Sequence, residues 1–154
     1  MAKAGYTLST AAGVALVAAT AKTVLSVIAP AQFGVDLKKI RVGTDGVTAT
    51  NTPILIELCR STQATAGTSG TAVTVQQAYG PTITAGFTGG SNFSAEPTVL
   101  TPIEIWQLDP NKSTLLYDFP LGDTPDTPVS NAFAIRMTAA QAVNVRVTLV
   151  FERT

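Results

Sequence analysis

Histidine is absent from this chain of 154 residues, and cysteine occurs once. Without histidine the sequence lacks the one side chain that titrates unperturbed near neutral pH, and with it the commonest metal ligand. A lone cysteine cannot form an intrachain disulfide. Cys59 sits in the apolar run Ile54–Cys59 with no Lys or His beside it in sequence, so it reads as a small buried hydrophobe and not as a reactive thiol. Charge is also scarce. Ten basic and ten acidic residues make up 13% of the chain and cancel, about half the usual charged share. With zero net charge and no Lys/Arg run, nothing releases counterions from a nucleic acid. These shortages exclude most routes to acid–base, nucleophilic and metal chemistry, so an enzyme is not expected and no cofactor is implied. A surface so poor in charge is expected to be covered in part by other subunits.

What the chain does have is β-strand vocabulary. Hydrophobic residues make up 45%, mostly Val, Ile, Leu and Ala, set out with period two and punctuated by Gly, Pro, Asn and Asp. Thr23–Ala29 is apolar on both faces, as in a strand buried on both sides. Val35–Val42 places Val35 and Leu37 on one parity and Ile40 and Val42 on the other, which predicts a β-bulge at Lys38-Lys39. Asp45-Gly46 reads as a turn. Ile54–Arg60 points Ile54, Ile56 and Leu58 inward. Ser61–Thr71 reads as an exposed loop, Val73–Tyr79 as a strand, and Gly86–Asn92 as a glycine-rich connection. Pro102–Leu108 and Thr114–Phe119, joined by Asp109-Pro110-Asn111, predict a hairpin. Ala132–Thr138 and Ala142–Glu152 predict a second hairpin, in which pairing Ile135 with Val145 collects the apolar residues on one face and Arg136 with Arg146 on the other. Eight or nine strands without a convincing helix predict an all-β antiparallel β-sandwich, most simply a jelly roll.

Residues 1–21 differ from the rest. One Lys, an apolar stretch Ala11–Ala19 and Ala19-Thr20-Ala21 outline a secretory signal. The stretch is too rich in Ala and too broken by Thr and Lys for a membrane span. The reading adopted is an extended N-terminal arm (1–21) ahead of a sandwich domain (22–154), held by strand addition to a neighbour. Tyr6, Leu8, Val14, Leu16, Val24, Ile28 and Trp106 are the candidate contacts to other subunits or an underlying shell.

Other candidate sites have plainer explanations. Asp118, Asp123 and Asp126 lack the spacing of a calcium loop and read as solvated or paired carboxylates. Glu57/Glu104 and Asp109/Asp118 have nothing fixing the separation a glycosidase dyad needs. The Gly86–Gly90 loop lacks the Lys-Ser/Thr of a phosphate cradle.

Three stretches carry a likeness: AKTVLSVIAPAQFGVDLKKIRVG (Ala21–Gly43), AEPTVLTPIEIWQLDP (Ala95–Pro110) and YDFPLGDTPDTPVSNAFAIRMTAAQAVNVRVTLVFER (Tyr117–Arg153). Together they resemble small virion structural proteins of actinobacterial tailed phages, of the capsid decoration (cement) type. That resemblance implies a non-enzymatic protein on the outer surface of a phage head. Its partners would be the major capsid protein and copies of itself, as a homotrimer, with no nucleic acid and no membrane. It would be made in the reducing host cytoplasm, in keeping with the absent disulfides. A tail-associated receptor- or carbohydrate-binding sandwich is the alternative, which the sparse aromatics (one Trp, three Tyr) favour less.

Overall fold

The computed structural model describes residues 4–45 and 50–154. Thirteen strands account for nearly all its regular structure: β1 (Gly5–Ser9), β2 (Val14–Leu16), β3 (Lys22–Ile28), β4 (Val35–Thr44), β5 (Ile54–Thr62), β6 (Thr68–Val73), β7 (Gln76–Tyr79), β8 (Thr88–Ala95), β9 (Thr101–Leu108), β10 (Thr114–Asp118), β11 (Asp126–Thr127), β12 (Asn131–Thr138) and β13 (Val143–Arg153). They form two antiparallel sheets, ordered β10-β4-β13-β1-β7 and β6-β8-β3-β12-β5-β9, with β2 and β11 pairing onto β13 and β4. The expected β-sandwich is what the chain forms.

Eight of these strands follow one rule. Taking β1, β3, β4, β5, β9, β10, β12 and β13 in order, the first pairs with the last, the second with the second-last, the third with the third-last, and the two in the middle with each other. Two further pairings, β13 with β4 and β12 with β5, roll this long hairpin onto itself. The three remaining long-loop strands, β6 to β8, lie between β5 and β9 in sequence and extend both sheets at the opposite edge.

Period-two alternation explains the core. Phe133, Ile135 and Met137 of β12 face Val145, Val147, Leu149 and Phe151 of β13 across the sandwich, all fully or almost fully buried. These strands do not pair with each other, so the second predicted hairpin is corrected. Two strands facing each other across a core show the same alternation as two strands side by side, and the short link 139–142 spans the ~10 Å between sheets. Arg136 and Arg146 therefore leave on opposite faces of the molecule. The first predicted hairpin fails in the same way, since β9 pairs with β5 and β10 with β4. The bulge predicted at Lys38-Lys39 is present: Val150 lies opposite Lys39 and Phe151 opposite Leu37, leaving Lys38 as the extra residue. Of the Asp45-Gly46 turn, Gly46 lies outside the described residues.

The N-terminal arm is also corrected. Residues 1–3 lie outside the described residues, but β1 is a central strand of this chain's own sheet, between β13 and β7. Its alternation explains why: Tyr6 and Leu8 are completely buried, and Thr7 and Ser9 point the other way. Burying two large side chains and pairing on both edges outweighs the poor content of the surrounding Ala and Gly. Tyr6 joins Phe33, Phe87 and Phe151 in an aromatic cluster, with Phe87 ring centres 5.6, 5.1 and 4.9 Å from those of Tyr6, Phe33 and Phe151. The Arg153 guanidinium caps it, 4.0 Å from the Phe33 ring centre.

The segment from Ser61 onward is not a plain loop. β5 runs to Thr62, and after a short 3₁₀ turn β6 pairs with β8. The strand Val73–Tyr79 of the sequence reading is split, with β6 ending at Val73 and β7 starting at Gln76. Of the glycine-rich stretch, Gly86 and Phe87 remain a connection, while Thr88–Asn92 is strand and belongs to β8. A Cβ on Gly89 would fall 2.6 Å from a Leu8 methyl carbon, and one on Gly90 2.7 Å from Ser69 Cβ. Glycine serves here for close approach within a strand, not for a turn.

β8 pairs with β3 only as far as Ser91; beyond it, Asn92 takes φ 51° and residues up to Ala95 pair with β6 alone. Glu96 then accepts the Thr23 backbone N–H at 2.8 and 2.9 Å and the Thr23 hydroxyl. This lays the end of the β6/β8 ribbon across the outer face of the second sheet. Ser26, Cys59 and Ala134 are neighbours on that face and are buried despite pointing away from the core.

Candidate interaction surface

The described residues hold few groups able to do chemistry, and most are already engaged. Arg136 clamps Glu57 through two hydrogen bonds of 2.7 and 2.9 Å, which hold its guanidinium more firmly protonated. Lys39 holds Asp118 at 2.6 Å, and Arg60 lies 3.9 Å from Asp126. Asp109 accepts the Asn111 N–H of its own turn at 2.7 Å. Two of the three candidate calcium carboxylates, Asp118 and Asp126, thus lie with different cations, and no metal-holding group of three or more ligating residues occurs among the described residues. Tyr79 donates to Glu152 at 2.8 Å, and burial together with that bond pushes its phenol up to about 12. Burial raises the Cys59 thiol from 9.0 to about 11, which leaves it protonated and inert. A polar depression of about 420 Å³ lies among Gly13, Gly43, Thr44, Asp45, Asn144 and Arg146. Its carboxylate is tied to the Asn144 side chain at 2.6 Å. No helix among the described residues is long and apolar enough to cross a membrane.

What stands out instead is the open side of the sandwich. β9 and β10 are edge strands, one on each sheet, and each has an unpaired backbone edge. Between them Trp106, Tyr117 and Phe119 form a second aromatic cluster, with ring centres 5.2 Å apart for Trp106–Tyr117 and 4.9 Å for Tyr117–Phe119. The cluster is only half buried. Around it Ile105 is 58%, Leu116 69% and Ile103 36% exposed. On β9, Trp106 and Leu108 sit opposite the core residues Ile56 and Ile54, so Ile105, opposite Glu57, points outward, while Ile103 is the extra residue where the β5/β9 register shifts.

The sequence-derived contacts are mostly elsewhere. Tyr6, Leu8, Val14, Leu16 and Val24 lie in this chain's own core, at 3% exposure or less, and cannot serve as surface contacts. Their periodicity marked burial, and burial within the chain was sufficient. Ile28 is half buried at the end of β3. Trp106 is the one candidate on the open side. Ile103, Ile105 and Leu116 were missed, although β9 is apolar on both parities while only one parity can reach the core.

No family model matches the chain, and no curated protein matches it. Among solved structures, a chain of the T13 particle of infectious bursal disease virus is similar over 96% of this chain at 14% identity, with a TM-score of 0.27. A chain from the Gx strain of that virus is similar at 16% identity, with a TM-score of 0.15. The present chain spans 38% and 39% of those two chains. Scores this low carry no argument about what the protein does.

Proposed function

We propose that this chain is a non-enzymatic virion structural protein with jelly-roll topology, which decorates the outer surface of a phage head and binds the major capsid protein. The observation that carries this reading is the open side: two edge strands presenting Ile103, Ile105 and Leu116 around a half-buried aromatic cluster. Apolar area of that kind serves contact between proteins, not catalysis. The rolled strand order supports the topology, since jelly rolls recur in viral capsids, though also in lectins and cupins. The lone unpaired Cys59 suits a protein folded in a bacterial cytoplasm. Half-exposed Trp106 beside Tyr117 would also stack on a sugar ring, which favours a tail-tip carbohydrate-binding module as the second reading.

Counting and locating the chain in purified particles tests the proposal. Copies by the hundred on the head surface are expected; a handful at the tail tip supports the second reading, and none in the particle overturns both.

A further inference from the structure

Glycine inside a strand weakens it, and it marks a bulge, a tight bend or a place where a ligand or another backbone comes close. Among the described glycines, all but Gly13 and Gly43 have a local reason to be glycine. Each has either a positive φ or a neighbouring atom under 3 Å from where a Cβ would stand. Gly43 has neither. An added Cβ there would meet nothing within 4 Å, although the residue lies inside β4, paired with Thr114 of β10 and Arg146 of β13. The register runs through it unbroken on both sides, so it marks no bulge. Gly13 stands one residue before β2, whose pairing of Val14 with Val145 brings it beside Arg146. A Cβ on Gly13 would make one ordinary contact, 3.5 Å from Asn144 Cβ. Arg146 therefore rises between two glycines, and its side chain fills the space over neither.

Both glycines line the depression of about 420 Å³ on the outer face of the first sheet, with Thr44, Asp45, Asn144 and Arg146. Its charges balance. The Arg146 guanidinium offers donors and engages none of the described residues by hydrogen bond or ion pair. Asp45 offers acceptors: the Asn144 side-chain amide donates to one carboxylate oxygen at 2.6 Å, and the Asn144 backbone N–H reaches the other only at 3.4 Å. A simple anion would face Asp45, and a simple cation would face Arg146. No aromatic or aliphatic side chain lines the floor to hold an apolar ligand. A hydroxyl both donates and accepts, so neighbouring hydroxyls satisfy a carboxylate and a guanidinium side by side. We infer that this depression binds a neutral hexose, free or as a unit of a glycan. Vicinal hydroxyls bridge Asp45 and Arg146, and the edge of the ring rests on the bare backbone of Gly43. The volume suits such a ligand, because small-molecule sites begin at about 300 Å³. With no ring to stack on, the Kd for one hexose falls on the order of several millimolar. The site lies away from the space between β9 and β10, and the inference holds whether the chain belongs to a head, a tail or neither.

The test is a series of amide NMR spectra of the full chain, titrated separately with glucose, galactose and mannose, and with sulfate and L-alanine as charged controls. At least one hexose is expected to shift the amides of Gly13, Gly43, Asp45, Asn144 and Arg146 saturably, with the controls leaving them in place. Gly43→Val fills the floor and is expected to weaken that binding by about tenfold or more. Its melting temperature should not fall, since the added Cβ meets nothing and β-branched residues suit strands. Should that variant unfold the chain, Gly43→Ala takes its place, with weaker binding again expected. Arg146→Gln, at an exposed position, is expected to weaken binding while the chain stays folded. The inference is overturned if no hexose moves these amides at about 0.1 M. It is overturned equally if sulfate or L-alanine moves them as the hexoses do, if the shifts gather at Trp106 and Tyr117 instead, or if the folded variants bind as the wild type does.

Discussion

The two sides of this sandwich are closed with the same material and to different degrees. On the β1 side, Tyr6, Phe33, Phe87 and Phe151 pack edge to face and Arg153 caps the group. On the β9/β10 side, Trp106, Tyr117 and Phe119 make a comparable cluster. Tyr6 and Phe151 are completely buried, while no ring of the second cluster is. What separates them is the inserted ribbon. β7 and β8 extend the sheets beside β1 and β3 and bring Phe87 into the first cluster. Nothing equivalent covers β9 and β10. Ring chemistry therefore does not decide which aromatic group is core and which is surface; the chain that crosses it does.

The sharpest break of this comparison is truncation on each side. Phe151→Ala, in the sealed cluster, is expected to cost about 3–5 kcal/mol in urea unfolding. Ile105→Ser, on the open side, is expected to stay within about 0.5 kcal/mol. Similar losses at the two positions would mean that the open side is as buried as the sealed one.

A second, smaller effect probes the covered outer face over Cys59. Its thiol is raised from 9.0 to about 11, chiefly by burial and against the pull of Arg136. A raised pKa means that the fold favours the protonated thiol. This contribution is whole below about pH 9 and is lost as pH climbs toward 11, by a few kcal/mol in all. Wild-type stability should fall relative to Cys59→Ala across that window. Parallel curves for the two proteins would show that solvent reaches the thiol.

Much of this was legible in sequence and some was not, for reasons specific to the residues. Alternation located the strands of the core, and the parity switch at Lys38-Lys39 located a bulge, because both are local consequences of the pleat. Partner choice was not local. The patterns of β12 and β13 fit a hairpin as well as two facing strands, and the same ambiguity misplaced β9 and β10. In β6 and in Gly89-Gly90 of β8, the strands are held by ladder pairing and close approach and carry little hydrophobic signal. The N-terminal residues were misjudged because their average composition was weighed over the alternation of Tyr6 and Leu8. The open surface was half legible: β9 showed two apolar parities, but nothing local said which of them lacked a cover.

Native-state hydrogen exchange on the isolated chain tests the central claim most directly, namely that the N-terminal strand belongs to the chain's own sheet while β9 keeps an open edge. The account predicts that amides of Tyr6, Thr7 and Leu8 are protected as strongly as those of β12 and β13, and that alternate amides of β9 exchange quickly. Rapid exchange throughout β1, or uniform strong protection along β9 in the monomer, would contradict it.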